Sequence, residues 1–212
     1  MTTTLTLVSG LAWTLVYLEC IRVGRRDGTY AMPVAALALN IAWEVLYSGY
    51  GLTHGGGVSA VVTTVWAVLD LGIVWTWLRY GRRELPGWVT PGLFAGWSAL
   101  LLVTAVVVQV VFAGEFGFHL AARYSAFLQN LLMSGLFLAM LVSRGGSRGQ
   151  SPTIAVAKWI GTLAPTISYG MLENSPLVLG TGLLCSVFDL LYLALLVSPQ
   201  WRSTSSTATS SA

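Results

Sequence analysis

The chain has 212 residues, 55% hydrophobic and only 9% charged, with a formal net charge of +3 and a mean hydropathy of +0.74. A soluble domain carries about 25% charged residues, so the composition excludes a water-soluble globule and points to an integral membrane protein. Length implies one domain, taken as 1–202, and the Ser/Thr-rich stretch 203–212 has too little apolar surface to fold and is expected to be a disordered tail.

In chain order, seven runs approach the ~20 mostly apolar residues that a membrane helix needs: 3–22, 30–52, 57–79, 90–113, 117–142, 153–172 and 176–197. The first has no basic stretch before it and no small-residue cleavage site after it, so it reads as a spanning helix rather than a signal peptide. Loop chemistry separates the runs: Arg-Arg-Asp-Gly, His-Gly-Gly-Gly, Gly-Arg-Arg-Glu-Leu-Pro-Gly, Gly-Glu-Phe-Gly, Arg-Gly-Gly-Ser-Arg-Gly and Glu-Asn-Ser-Pro. The expected fold is therefore all-α, an integral membrane bundle of seven transmembrane helices.

Positive charge alternates along these loops. Arg22, Arg25 and Arg26 follow the first run, Arg79, Arg82 and Arg83 the third, Arg144 and Arg148 the fifth and Arg202 the seventh, nine of the eleven basic residues in all. The positive-inside rule then places the amino terminus outside and the carboxyl terminus in the cytosol. This distribution is loop bias, so nucleic acid is not an expected partner, whereas membrane lipid is.

Four of the eight acidic residues fall inside the runs: Glu19, Glu44, Asp70 and Asp189. An Asp at a helix centre costs about 2.5–3.5 kcal/mol on insertion, so such residues turn inward and are functional candidates by default. Glu44 lies in Trp-Glu-Val-Leu-Tyr of the second run, and Asn40, Glu44 and Tyr47 recur at helical spacing with Trp43 beside them. Asp189 lies in Phe-Asp-Leu-Leu-Tyr of the seventh, where Cys185, Asp189 and Tyr192 share a face flanked by Phe188. Asp70 follows Trp66 by one turn and faces either the same cavity or a partner, Arg123 or Asn40. Glu19 and Arg22 read as an interfacial ion pair, and Lys158 as a side chain reaching out to the cytosolic surface.

Removal from water favours the neutral form of a carboxyl group, and aromatic faces stabilise a cation without trapping it. Glu44 and Asp189 are therefore the candidate catalytic residues. Asn40, Trp43, Tyr47, Trp66, Asp70, Phe188 and Tyr192 are the candidate substrate- and cation-binding residues, with the two clusters as opposite walls of one pocket. Cys20 and Cys185 read as core residues. The chain has no paired-Asp diphosphate motif, no Walker loop, no HExxH and no His/Cys metal spacing, so neither a metal site nor a cofactor is expected.

The stretches MPVAALALNIAWEVLYS, WAVLDLGIVWTWLRYG, SAFLQNLLMSGLFLAMLVSRG, GQSPTIAVAKWIGTL and CSVFDLLYLALL, in that order, resemble the small seven-helix membrane terpene cyclases of fungal meroterpenoid and indole-diterpene pathways and their bacterial drimentine-type relatives. The resemblance covers about residues 10–198. It implies that Glu44 and Asp189 are essential. It also implies that a prenyl chain on an indole- or cyclodipeptide-like head group, here a farnesylated one, is cyclised after protonation of its terminal olefin or epoxide, without metal or diphosphate ionisation. A drimane-forming enzyme of bacterial secondary metabolism, in the cytoplasmic membrane, is the corresponding expectation. A proton-coupled transporter and a non-catalytic prenyl- or lipid-binding protein are the competing readings of the same acids and aromatics.

Overall fold

The computed structural model describes residues 2–199; Arg202 and the tail 203–212 lie outside the described residues. Among the described residues every regular element is helical: α1 (Thr2–Asp27), α2 (Val34–Thr53), α3 (Gly57–Tyr80), a 3-10 turn (Gly81–Glu84), α4 (Pro91–Arg144), α5 (Pro152–Pro165), a π-helical turn (Thr166–Leu172) and α6 (Pro176–Val197). Prolines open α4, α5 and α6, where a missing N–H breaks no helical bond. Thr90 and Ser151 cap α4 and α5, their hydroxyls accepting from the N–H of Leu93 and of Ile154, each at 3.2 Å. Pro165 removes one donor from the α ladder, and the chain continues past it as the π turn.

Four helical stretches are long and apolar enough to cross a membrane: Thr3–Asp27, Gly57–Glu84, Pro91–Arg144 and Pro176–Val197. The protein is thus an all-helical, multi-pass membrane protein, with six α-helices among the described residues where the sequence led to seven spans. The difference lies in α4. Its 54 residues would reach ~80 Å as a straight helix. Gly117, at φ 70° and ψ 154°, breaks the helical path. The side chains of Gln109 and Gln129 meet at 2.9 Å, although on a straight helix they would stand ~30 Å apart. The chain therefore turns back on itself at Gly117, in a backbone region that only glycine occupies without strain.

The helices bury one continuous core that includes Val16, Tyr17, Ile73, Trp77, Phe137 and Tyr192. α1 packs on α3 and α5, α2 on α3 and α4, and α6 on α4 and α5. The outward faces are apolar as well: Leu11, Val58, Val68, Val103 and Val187 are all more than half exposed. A protein apolar on both sides of its helices is built for hydrocarbon rather than water. At one end, three loops are tied together. Arg148 pairs with Glu84 at 2.9 Å and bonds the carbonyls of Asp27 and Gly28, while Arg144 bonds Thr29 Oγ1 and the Tyr30 carbonyl. Gly149 donates its N–H to Asp27 at 2.8 Å, and a Cβ there would meet the Tyr30 carbonyl at 2.9 Å.

The turn makes a checkable demand. Gly117→Ala is expected to cost about 1–3 kcal/mol, read as a lower thermal unfolding midpoint in detergent. Gly114→Ala, on the helical backbone with open space around it, is expected to be neutral or stabilising.

Candidate active site

Glu44 and Asn40 stand one turn apart on α2, between α3 and α4. Tyr17 reaches them from α1 and Asp70 from α3. Tyr17 Oη donates to Glu44 Oε1 through a short hydrogen bond. The Asn40 amide Nδ2 lies 2.7 Å from Tyr17 Oη, 3.1 Å from Glu44 Oε1 and 3.0 Å from Asp70 Oδ2. Glu44 and Asp70 are 1% and 0% exposed, so every partner they have is protein. Asn40 thus bridges the two carboxyl groups. Beyond Asn40, Gln129 from the second arm of α4 approaches Asn40 Oδ1 at 3.5 Å and accepts from Gln109 of the first arm. Trp66 borders the cluster, its ring 6.0 Å from that of Tyr17 and its indole N–H donated to Thr14 at 3.0 Å. Of the two partners open to Asp70, the structure selects Asn40; Arg123 instead pairs with Glu173 at 2.8 Å and lies over the Tyr169 ring.

Asp189 belongs to a second cluster. Lys158 Nζ lies 2.8 and 2.9 Å from its two carboxyl oxygens and 2.6 Å from Ser134 Oγ. Lys158 is fully buried. It therefore does not reach out to the cytosolic surface as expected, because the Asp189 carboxylate holds it inside α5, where an unpaired ammonium would be untenable. Ser134 donates its own hydroxyl to the Asn130 carbonyl, and the Asn130 side chain donates to Thr162 on α5 at 2.8 Å. The second arm of α4 thus touches both clusters, through Gln129 on one side and Ser134 on the other.

The aromatic candidates separate. Tyr192 is buried, with its ring 5.4 Å from Phe137. Trp43 donates to the Ala122 carbonyl and stands 5.2 Å from Tyr47, which faces Phe118. Phe188 is 36% exposed and lines an open groove of about 500 Å³ with Leu128, Leu132, Leu136 and Leu184. A second groove, of about 400 Å³, runs between α1 and α5 past Leu15 and Val156. Neither is lined by Glu44, Asp70 or Asp189, so the two carboxyl clusters do not form opposite walls of either groove. Cys20 and Cys185 are buried and free, and Glu19 pairs with Arg22 at 2.6 Å, as read from the sequence. Among the described residues no three His, Cys, Asp or Glu side chains converge as metal ligands.

Sequence reasoning missed Tyr17, Gln109 and the role of Lys158. Tyr17 carries no signal, being one aromatic in an apolar run. Gln109 and Lys158 do carry one: an amide inside Val-Val-Val-Gln-Val-Val, and the only lysine of the chain, six residues into a span.

A multi-pass helical protein whose deepest charges form two hydrogen-bonded carboxyl clusters has the make-up of a membrane acid–base enzyme. The sequence comparisons carry this further. The family of Pyr4-like transmembrane terpene cyclases matches residues 1–201, and the chain belongs to that family of cyclising enzymes. It is 31% identical to terpene cyclase pyr4 of Aspergillus fumigatus, over 92% of this chain and 84% of that protein. It is 33% identical to the Pyr4-family terpene cyclase mfmH of Annulohypoxylon moriforme, over 75% of this chain and 66% of that one. It is 29% identical to terpene cyclase ptmB of Penicillium ochrochloron, over 80% and 74%. These relatives are fungal, so they lend no support to a bacterial source. No solved structure matches the chain. Membership implies a prenylated substrate and work in terpenoid biosynthesis.

Lys158→Met leaves the Asp189 carboxylate buried without its cation and is expected to destabilise the protein by about 3–5 kcal/mol, whereas Lys158→Met combined with Asp189→Leu removes both charges and is expected to recover most of that loss. Thermal unfolding of the three proteins in one detergent measures the difference.

Proposed function

We propose that this chain is a proton-initiated terpene cyclase that crosses the membrane seven times as a single domain, with its amino terminus outside and its carboxyl terminus in the cytosol. The reversal at Gly117 supports counting α4 as two passes, and the unbroken path from Pro152 through Leu172 supports counting α5 and the π turn as one. The joined loops after α1, α3 and α4, rich in arginine, support a common cytosolic end.

The substrate on this reading is a prenyl chain, farnesyl in length, on an indole- or cyclodipeptide-like head group. A neutral carboxyl group protonates its terminal olefin, or the oxygen of a terminal epoxide, and ring closure carries the cation along the chain without a metal. One observation carries the reading: side chains from three helices converge on Glu44 and shut it away from water. Such an acid can deliver a proton to a hydrocarbon that water would not hold in place. Asp189 is the second essential carboxyl, and Asn40 and Asp70 orient Glu44. Of the aromatic side chains, Trp66 stands beside the Glu44 cluster, Tyr192 is buried in the core, and Trp43 and Tyr47 extend the α2 face. Phe188, on the outer groove, faces the substrate only if the chain enters from that side.

Membranes containing the wild type, Glu44→Gln or Asp189→Asn, supplied with a farnesylated indole or its terminal epoxide, test this by mass spectrometry of the products. The wild type is expected to form a cyclised isomer of one of the two. Each variant is expected to lose about 10²–10⁴-fold in rate, the usual worth of a general acid or base. Undiminished cyclisation in both variants would rule the mechanism out.

A further inference from the structure

The two acids expected to act together sit in different chemical states. Each carboxyl of the first cluster has one oxygen supplied with donors and one without. Glu44 Oε1 accepts from Tyr17 and Asn40, and Asp70 Oδ2 accepts from Asn40. Glu44 Oε2 and Asp70 Oδ1 are buried and receive no N–H or O–H. Asn40 holds the two carboxyl groups side by side away from water, and among the described residues no ammonium or guanidinium pairs with either. Two carboxyl groups placed so do not both keep a charge, and the oxygens without donors are where a proton sits. The second cluster is the reverse. Both oxygens of Asp189 accept from one ammonium, Lys158 Nζ, whose other partner is Ser134 Oγ. That arrangement satisfies a carboxylate completely and leaves no oxygen for a proton.

From this we infer that Glu44, with Asp70 beside it, holds the initiating proton on Oε2, and that Lys158 is a positioning residue that keeps Asp189 ionised, so Asp189 does not start the reaction. The inference rests on the proton-initiated reading above and divides its labour. In the first step the Glu44 Oε2–H bond breaks. The π pair of the terminal olefin takes the proton into a new C–H bond, and the neighbouring carbon becomes the cation. The charge left on Glu44 meets the Tyr17 hydroxyl and Asn40 amide already directed at Oε1. One C–H proton is lost from the last cation to a base, so product and substrate are isomers. Asp189 acts as a fixed charge of the Lys158 pair, and its loss is felt through an unbalanced ammonium rather than a missing proton donor.

The test is the carbonyl-stretch region of the infrared spectrum of the full chain in detergent at neutral pH, without substrate. The wild type is expected to show a protonated-carboxyl band that shifts when the glutamate carboxyl carbons are isotopically labelled. This measurement needs no variant. The band is expected to persist in Asp189→Asn and to vanish in the double variant Glu44→Gln/Asp70→Asn. Lys158→Met is expected to add a second band, absent from Lys158→Met/Asp189→Asn, as Asp189 takes up a proton once its ammonium is gone. A wild-type band indifferent to the glutamate label, or one lost in Asp189→Asn, overturns the assignment. Cyclisation assayed on the same preparations reads the proposed activity separately: the expected bands without product would fault the activity or the substrate, whereas product without the glutamate-sensitive band would fault the proton assignment alone.

Discussion

Hydrocarbon supplies no hydrogen bonds, so each polar atom inside this bundle must find its partner within the chain. That constraint organises the structure. It makes every described element a helix, and it gathers the intramembrane side chains into closed groups. Tyr17, Asn40, Glu44 and Asp70 are joined by hydrogen bonds across α1, α2 and α3, as Lys158, Asp189 and Ser134 are across α5, α6 and α4. The helices are as apolar outside as within, so packing alone gives little reason for one arrangement over another. The polar groups supply that reason, because sliding one helix past another would part the pairs they make.

α4 is the element through which the two groups are related. Its two arms meet at Gln109 and Gln129, and the second arm then presents Gln129 towards Asn40 and Ser134 towards Lys158. The residues in between, Asn130 to Met133, cover about one helical turn. The acids are thus held at either side of a single stiff rod rather than by loops, a placement suited to groups whose reach to a reacting carbon matters.

Much of the fold was legible because it depends on composition. Apolar runs of membrane length, their Gly- and Arg-rich breaks and the alternation of positive charge appear directly in the chain. The acids at Glu44, Asp70 and Asp189 stood out because charge is rare in such runs. What escaped was pairing, which depends on how helices are placed next to each other. Lys158 follows a cytosolic-type loop by a few residues, and a flexible four-carbon stem would let it reach the surface. Only the neighbouring position of Asp189 on α6 decides otherwise. Tyr17 lies 27 residues from Glu44 along the chain, and its place beside that carboxyl exists only once α1 and α2 both pack on α3. The join at Gly117 escaped for the opposite reason: a Gly-Glu-Phe-Gly break looks like a loop, yet the chain passes through it with a single non-helical residue.

The arginine that ties the loops together also sets a schedule. Arg148 bonds backbone carbonyls at Asp27 and Gly28, which precede it by 121 and 120 residues. At ribosomal rates of about 5–20 residues per second, those carbonyls wait on the order of 10 s for their partner to be made. Through that interval α1 stands in the bilayer with its end unfastened, and the Glu84 side chain waits as well. The clasp can close only when about three-quarters of the described chain has been made, so the loop after α4, ahead of the last two helices, is what locks the first in place.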